Sequence, residues 1–133
     1  MKQEDRELLL LDLCGRLPYW VKGALCDTDI WTLDRIWTKK GYESVVLAGD
    51  YHDIEDFKPY LFPLSSMTKE QKEEIEDKLI FPSNSNGGWI EILYNDIYNI
   101  PFWFVDFCNK NHFDYRGLIE KGLAIDARGL NIY

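Results

Sequence analysis

The stretch that decides the fold is residues 30–48, IWTLDRIWTKKGYESVVLA, which is rich in β-branched and aromatic residues. Together with the similar preceding run, it predicts an antiparallel meander of strands over residues 19–25, 30–38 and 42–48. Side chains alternate along a strand, so Trp31, Leu33 and Trp37 share one face of the middle strand. We expect that face to lie in the core.

Two helices flank the predicted meander. Residues 2–14 are mostly good helix formers and are followed by Gly15, which predicts an N-terminal helix. Pro101 precedes an aromatic stripe that predicts a buried helix ending at about Asn111. The pattern is therefore typical of an α+β fold: a small antiparallel sheet packed with an N-terminal helix and a C-terminal aromatic-rich helix. We expect one domain over residues 1–133.

The segments between these elements give weaker signals. Residues 50–57 are expected to form a solvated turn, and the prolines of 58–63 favour an extended or an edge path. Thr68 and Gln71 have the spacing of a capping box, which predicts a surface helix over about 69–79. Two further short strands are expected, one over residues 89–94 and one near the end of the glycine-punctuated tail.

Composition limits the classes of function. The 133 residues are 46% hydrophobic and carry a net charge of -8, which indicates a folding chain that repels nucleic-acid phosphates. We therefore expect no direct nucleic-acid binding, and a basic protein partner fits better than an acidic one. Cys14, Cys26 and Cys108 are an odd number without metal-site spacing, so we expect free, mostly buried thiols. The sequence has no signal peptide or membrane-span pattern, so it predicts a cytoplasmic protein without a membrane partner.

The metal-site candidate lies in the predicted turn after the meander. Asp50, His52 and Asp53, followed by Glu55 and Asp56, place oxygen donors and one imidazole close together in the chain. The spacing matches neither an EF-hand nor a zincin, and a solvated turn explains it equally simply. We expect no metal and, since phosphate-binding and dinucleotide motifs are also absent from the sequence, no cofactor.

The catalytic candidates lie around the end of the aromatic helix. Cys108 and His112 are four residues apart, so they would share a face and could form a thiolate–imidazole pair if the helix continued. His112, Asp114 and Arg116 could instead recognise an anion or act as a hydrolase or transferase site. The structural alternatives are a packed Cys108, a helix-end His112, and an Asp–Arg–Tyr cluster that holds an irregular segment by hydrogen bonds.

Candidate binding residues are aromatic or lie in the same cluster. Tyr115 and Arg116 could contact a partner, and Trp89, next to a pair of glycines, is expected to be partly exposed. Most of the other aromatic side chains are expected to point inward. The familiar signatures of nucleophilic and metal-dependent hydrolases are absent from the sequence.

Three strings, over residues 58–68, 109–119 and 121–127, resemble a group of small uncharacterised proteins encoded by gut bacteria and by their phages and mobile elements. The strings are KPYLFPLSSMT, NKNHFDYRGLI and KGLAIDA. The resemblance implies a cytoplasmic accessory protein of a mobile element that binds a host or phage protein. It transfers no activity, so no residue inherits a role from it.

Three functions therefore follow from the sequence as hypotheses. The first is a non-enzymatic protein-interaction module that docks onto a protein partner through its acidic surface and partly exposed aromatic residues. The second is a small hydrolase or transferase that uses His112, Asp114 and Arg116, together with Cys108. The third is an acidic DNA mimic that inhibits a nucleic-acid-binding enzyme, which requires carboxylates spaced along one face.

Overall fold

The computed structural model of this chain describes residues 1–26, 29–39, 41–78 and 101–133. These residues form helices and strands, and the strands pair both antiparallel and parallel. The helices are α1 (Gln3–Arg16), α2 (Lys69–Lys78) and α3 (Phe102–Lys110). The strands are β1 (Lys22–Ala24), β2 (Trp31–Thr32), β3 (Arg35–Lys39), β4 (Tyr42–Leu47), β5 (Asp50–Asp53), β6 (Lys58–Pro63), β7 (Phe113–Asp114) and β8 (Ile125–Asp126). The predicted α+β class, with an N-terminal and a C-terminal helix, is confirmed.

The strands form two sheets. The first is a 5-stranded sheet in which β6 is central, because β6 pairs antiparallel with β1 and parallel with β7 and β8. The second is a 3-stranded antiparallel sheet in the order β3, β4, β5. Residues 58–63 are extended, as predicted, and of the two alternatives the edge path is not adopted, because β6 has neighbours on both sides. The tail adds two short strands to the first sheet, where one was predicted.

The meander is displaced along the chain from its predicted position. The amide of Leu33 donates to Val21 at 2.9 Å, whereas the amide of Asp34 donates to Val46 at 3.0 Å. The chain therefore passes from the first sheet to the second between these two residues. The predicted strand over 30–38 is thus two strands in different sheets, and the meander consists of β3, β4 and β5. Residues 50–53, predicted as a turn, are its third strand.

The predicted inward face of the meander is also wrong. Leu33 is 1% exposed, but Trp31 is 38% exposed and Trp37 is 45% exposed. The crossing between the sheets interrupts the alternation, so the face of β3 that packs against the core carries Ile36 instead of Trp37. Most tryptophans were expected to point inward, whereas Trp20 is exposed as well.

The main core lies between α1 and the two sheets. Leu9 and Leu13 of α1 pack there with Val45 and Leu61, and each is fully buried. Burial of such a side chain contributes about 1.5–3 kcal/mol relative to its exposure to water. Gly23 is required where β1 passes the core, because a Cβ at this position would lie 2.3 Å from the ring of Phe57.

A second hydrophobic cluster joins α2, α3 and β7. Its buried members are Met67, Ile75, Phe104, Cys108, Phe113 and Tyr115. The capping box that begins α2 forms as predicted: the Thr68 amide donates to Gln71 Oε1 at 2.8 Å, and the Gln71 amide donates to Thr68 Oγ1 at 3.2 Å. Cys108 is buried, but Cys14 and Cys26 are exposed, so the expectation of mostly buried thiols is wrong. Trp89 and the strand predicted over residues 89–94 lie outside the described residues.

Candidate functional site

The most strongly connected polar group is a buried ion pair inside α1. Asp12 and Arg16 are both 0% exposed, one helical turn apart. Arg16 Nε donates to Asp12 Oδ2 at 2.7 Å, and Arg16 Nη2 donates to Asp12 Oδ1 at 3.2 Å. The same Nη2 also donates to the carbonyl of Phe113 at 2.6 Å, and Nη1 lies 3.5 Å from the carbonyl of Cys108. Arg16 therefore joins α1 to the end of α3 and to β7. We refer to the Asp12–Arg16 pair as the hub.

Two of the predicted catalytic residues are tied to this region by structural interactions. Asp114 accepts hydrogen bonds from the amides of Leu118 and Ile119, each at 2.9 Å, so its carboxylate shapes the turn after β7. The Nε of Arg116 lies 3.5 Å from Asp12 Oδ1, an ion-pair contact whose geometry falls outside that of a hydrogen bond. The carboxylate of Asp12 thus faces two guanidinium groups.

Tyr115 completes the packing around the hub. Its ring lies 5.3 Å from the guanidinium carbon of Arg16 and 5.0 Å from that of Arg116, so both cations contact the same aromatic ring. The residue is only 6% exposed. A partner therefore cannot reach the ring without opening the structure, although the neighbouring Arg116 remains partly exposed.

A pairing of Cys108 with His112 would require that α3 continue, and α3 ends at Lys110, so the structural alternative of a packed Cys108 applies. His112 then adopts a left-handed backbone conformation with φ 62°, which removes it from the helical face that carries Cys108. Its imidazole stacks on the ring of Tyr133, with the centroids 3.7 Å apart and the planes at 9°. The helical spacing that predicted this pair therefore does not apply.

Burial opposes reactivity at both residues. Burial raises the pKa of the Cys108 thiol to about 12, so the thiolate is scarce at neutral pH. Burial, together with the positive charges of Arg16 and Lys22, lowers the pKa of His112 to about 4. His112 is therefore neutral at pH 7, and its Nδ1 is buried without a hydrogen-bond partner in the part of the chain that the structure describes.

The metal-site candidates lie on β5 and do not converge. Asp50 and His52 point to one face of the strand and Asp53 to the other, because neighbouring residues of a strand alternate. Asp53 accepts from Arg6 Nη1 at 3.0 Å and from the amide of Glu55 at 2.9 Å, and these bonds lower the pKa of its carboxyl. Among the described residues, no group of three or more His, Cys, Asp or Glu side chains could hold a metal ion.

Sequence reasoning missed the hub. Asp12 and Arg16 are spaced i,i+4 and lie next to Leu9 and Leu13, which are fully buried. Charges on the apolar stripe of an amphipathic helix are the signal that could have identified them.

The second feature that the sequence did not predict is an exposed aromatic face. Strand register places Arg35, Trp37, Lys39, Tyr42, Ser44, Val46, Tyr51 and Asp53 on one side of the 3-stranded sheet. The rings of Trp37 and Tyr51 meet across β4 in an edge-to-face contact with centroids 6.4 Å apart. Tyr42, Trp37 and Tyr51 are 68%, 45% and 59% exposed. We call this side, opposite the core, the outer face.

Comparisons with protein-family models, with curated proteins and with solved structures gave no match to this chain. Of the helices that the structure describes, none combines the length and the apolar character that crossing a lipid bilayer requires.

Proposed function

We propose that this chain is a non-enzymatic protein-interaction module that binds its partner through the outer face. The observation that carries the proposal is the exposed pair of Trp37 and Tyr51, which rests on a sheet that packs Val45 and Leu47 of its other side into the core. Large aromatic rings are enriched among the residues that dominate binding energy at protein interfaces. Exposed aromatic side chains grouped on one rigid sheet are typical of a docking surface.

The contacts and burial of Asp114, Arg116 and Cys108 support a binding role over an enzymatic one. Asp114 is occupied by backbone amides, and Arg116 faces the buried carboxylate of Asp12. Cys108 is buried, and its raised pKa opposes thiolate formation at neutral pH. A nucleophile or general base needs an accessible group with a suitable pKa, so these residues fit a structural role better.

The charges on the outer face indicate the chemistry of the partner. Arg35 and Lys39 flank Trp37 along β3, and both are exposed. The carboxylate on this face, Asp53, is engaged by Arg6. Arg35 also contacts the exposed carboxylate of Asp34, with Nε 3.7 Å from Oδ2, so the face keeps only a small excess of positive charge in a chain with a net charge of -8. The net charge of the chain favours a basic partner, but at this face a protein segment that carries an apolar side chain next to a carboxylate would complement the local charge. The overall negative charge repels a long polyanion such as nucleic acid.

Only the resemblance of residues 58–68, 109–119 and 121–127 to small proteins of gut bacteria and their mobile elements suggests which partner the chain binds. An accessory protein of that kind acts by binding another protein more often than by metabolic catalysis. The proposal therefore includes a host or phage protein as the partner, and the outer face as the surface that recognises it.

The test is quantitative affinity capture with the full chain, from a lysate of the organism that encodes it. Trp37→Ser combined with Tyr51→Ser removes the aromatic anchors, and Arg35→Glu combined with Lys39→Glu reverses the local charge. Trp20→Asn is the matched control, because Trp20 is 70% exposed elsewhere on the surface and asparagine tolerates its left-handed backbone.

We expect a protein that the wild type and Trp20→Asn retain and that both outer-face variants lose by at least about 10-fold, the effect of losing a hot-spot side chain. Circular dichroism of each variant checks that the fold is intact. Retention of the same proteins by the outer-face variants and the wild type would contradict the proposal.

A further inference from the structure

A cleft distinct from the outer face lies where α3 ends. It has a volume of about 530 Å³ and is bounded by the ends of α3 and β6, the first turn of α2 and the C-terminal residues. Phe62, Phe113 and Tyr133 supply its apolar wall. The size and the aromatic lining fall within the range of small-molecule sites in proteins.

The charge of this cleft is opposite to that of the chain. Of the described residues that line it, Lys110 and Arg128 are cationic and none is an aspartate or glutamate, although acidic residues outnumber basic residues 23 to 15 in the sequence. A neighbouring cleft of about 370 Å³ shares Lys110 with it and is lined by Glu74 and Asp106 as well. The described lining of the first cleft therefore differs in charge from that of its neighbour and favours an anionic ligand.

Donor groups of both cations remain available. Among the described residues, no carboxylate lies within ion-pair distance of Lys110, whose side chain is exposed. Arg128 binds Asp126 through Nε and Nη2, at distances of 2.7–3.1 Å. This contact leaves Arg128 Nη1 for a ligand, and a guanidinium group can bind carboxylate or phosphate through the rest of its donor set.

The aromatic wall is held in place before any ligand arrives. The hydroxyl of Tyr133 donates to the carbonyl of Tyr60 at 2.8 Å and accepts from the amide of Lys22 at 2.9 Å. The ring of Tyr133 also stacks on His112, which lines the same cleft. A preorganised wall reduces the entropy that binding must offset.

From these observations we propose that the cleft binds a small organic anion, in which a carboxylate or phosphoryl group reaches Lys110 and Arg128 and a flat apolar body packs against Phe62 and Tyr133. The occupant differs from the protein partner proposed for the outer face, so either proposal can fail without the other.

Isothermal titration of the full chain with phenyl phosphate, benzoate, inorganic phosphate and benzylamine tests this proposal. We expect phenyl phosphate or benzoate to bind with a Kd of about 1 mM or tighter. Preference between these two identifies the anionic group. Inorganic phosphate lacks the apolar body and benzylamine has the opposite charge, so both should bind at least about 10-fold more weakly.

Variants locate the binding. Lys110→Gln and Arg128→Gln should each weaken binding of the preferred anion about 10-fold, because each removes a hydrogen bond to a charged group. Lys78→Gln is the matched control, since Lys78 is an exposed cation that lines the neighbouring cleft. All three side chains are exposed, so the variants should fold. Failure of both aromatic anions to bind, equal binding of benzylamine, or unchanged affinity in the two cleft variants would overturn the proposal.

Discussion

In the hub, two charged side chains are completely removed from water, whereas on the outer face two large aromatic rings are left in it. Asp12 and Arg16 have 0% exposure and are held by hydrogen bonds to each other and to distant carbonyls. Trp37 and Tyr51 are about half exposed and contact each other above the sheet. The usual distribution of polar and apolar residues is reversed in these two regions.

The difference shows which residues hold the fold and which are free to bind. A buried charge that loses its partner costs several kcal/mol, so the hub constrains the packing of α1 against the end of α3. An exposed aromatic ring contributes less to folding and keeps most of its surface for a partner. The comparison predicts large effects of hub substitutions on stability and small effects of outer-face substitutions.

The largest effect is expected from Asp12→Ala. Arg16 would then remain buried without its carboxylate, and we expect a loss of about 3–5 kcal/mol in the free energy of unfolding. Urea denaturation followed by circular dichroism measures it. Glu7→Ala, on the exposed side of α1, is the matched control and should change stability by less than about 0.5 kcal/mol.

The combination Asp12→Leu with Arg16→Met separates the charge from the packing. It removes both charges, so it should destabilise less than Asp12→Ala even though the carbonyls of Cys108 and Phe113 lose their donor. A double variant that is as unstable as the single one would show that the bonds to those carbonyls, and not the unpaired charge, dominate.

An intermediate effect is expected at His112, beside the hub. Its pKa falls from 6.5 to about 4 on folding, mainly through burial and then through the charge of Arg16. Between pH 6.5 and about pH 4 the imidazole of His112 is protonated in the unfolded chain but neutral in the folded chain. The contribution of neutral His112 to the free energy of unfolding is therefore full above pH 6.5 and is lost as the pH falls from 6.5 to about 4. Because solvent screens the partly exposed ring, we expect about 1–2 kcal/mol over that range.

The measurement is thermal or urea unfolding of wild type and His112→Asn between about pH 7 and pH 4. Asparagine tolerates the left-handed backbone of residue 112, so the variant should fold and should lose less stability on acidification than the wild type. His52→Asn, which replaces the other histidine of the chain, is the matched control variant. Equal slopes for wild type and His112→Asn would contradict the prediction.

The smallest effect on folding is expected from Trp37→Ser. The side chain is 45% exposed and lies outside the main core, so we expect a loss of about 1 kcal/mol or less, which includes its edge-to-face contact with Tyr51. Urea denaturation compares the free energy of unfolding of this variant with that of Ile36→Ser. The Ile36 side chain lies on the core-facing side of the same strand. A Trp37→Ser variant as unstable as Ile36→Ser would show that the ring serves the fold.

The sequence predicts the local elements well because their signals are local. Residues 2–14 predict α1, but the predicted stop at Gly15 is wrong, because the helix continues through Gly15 to Arg16, with Gly15 packed close to Asn109. The Thr68–Gln71 capping box specifies the start of α2 from neighbouring residues alone. The face of β3 could not be predicted in the same way. The crossing between Leu33 and Asp34 depends on hydrogen bonds to two different sheets, and it reverses which side of the strand meets the core.

The candidate site shows the same limit. The segment from His112 to Arg116 contains the residues that the sequence singled out, but their roles depend on groups far along the chain. Asp12, which faces Arg116, lies more than a hundred residues away, and the hub bonds of Arg16 span 92 and 97 residues. Four-residue spacing allowed a pairing of Cys108 with His112 only if the helix continued, and α3 ends at Lys110, close to its predicted end.

The amino-acid sequence by itself therefore determined the fold class, the helices and the acidity of the chain, because composition, caps and helical periodicity act over a few residues. Tertiary structure alone decided which strands pair, which tryptophans face water and which charges are buried. Those outcomes depend on contacts between distant segments, and the free energy of burying Asp12 or exposing Trp37 is set by the partners that such contacts bring together.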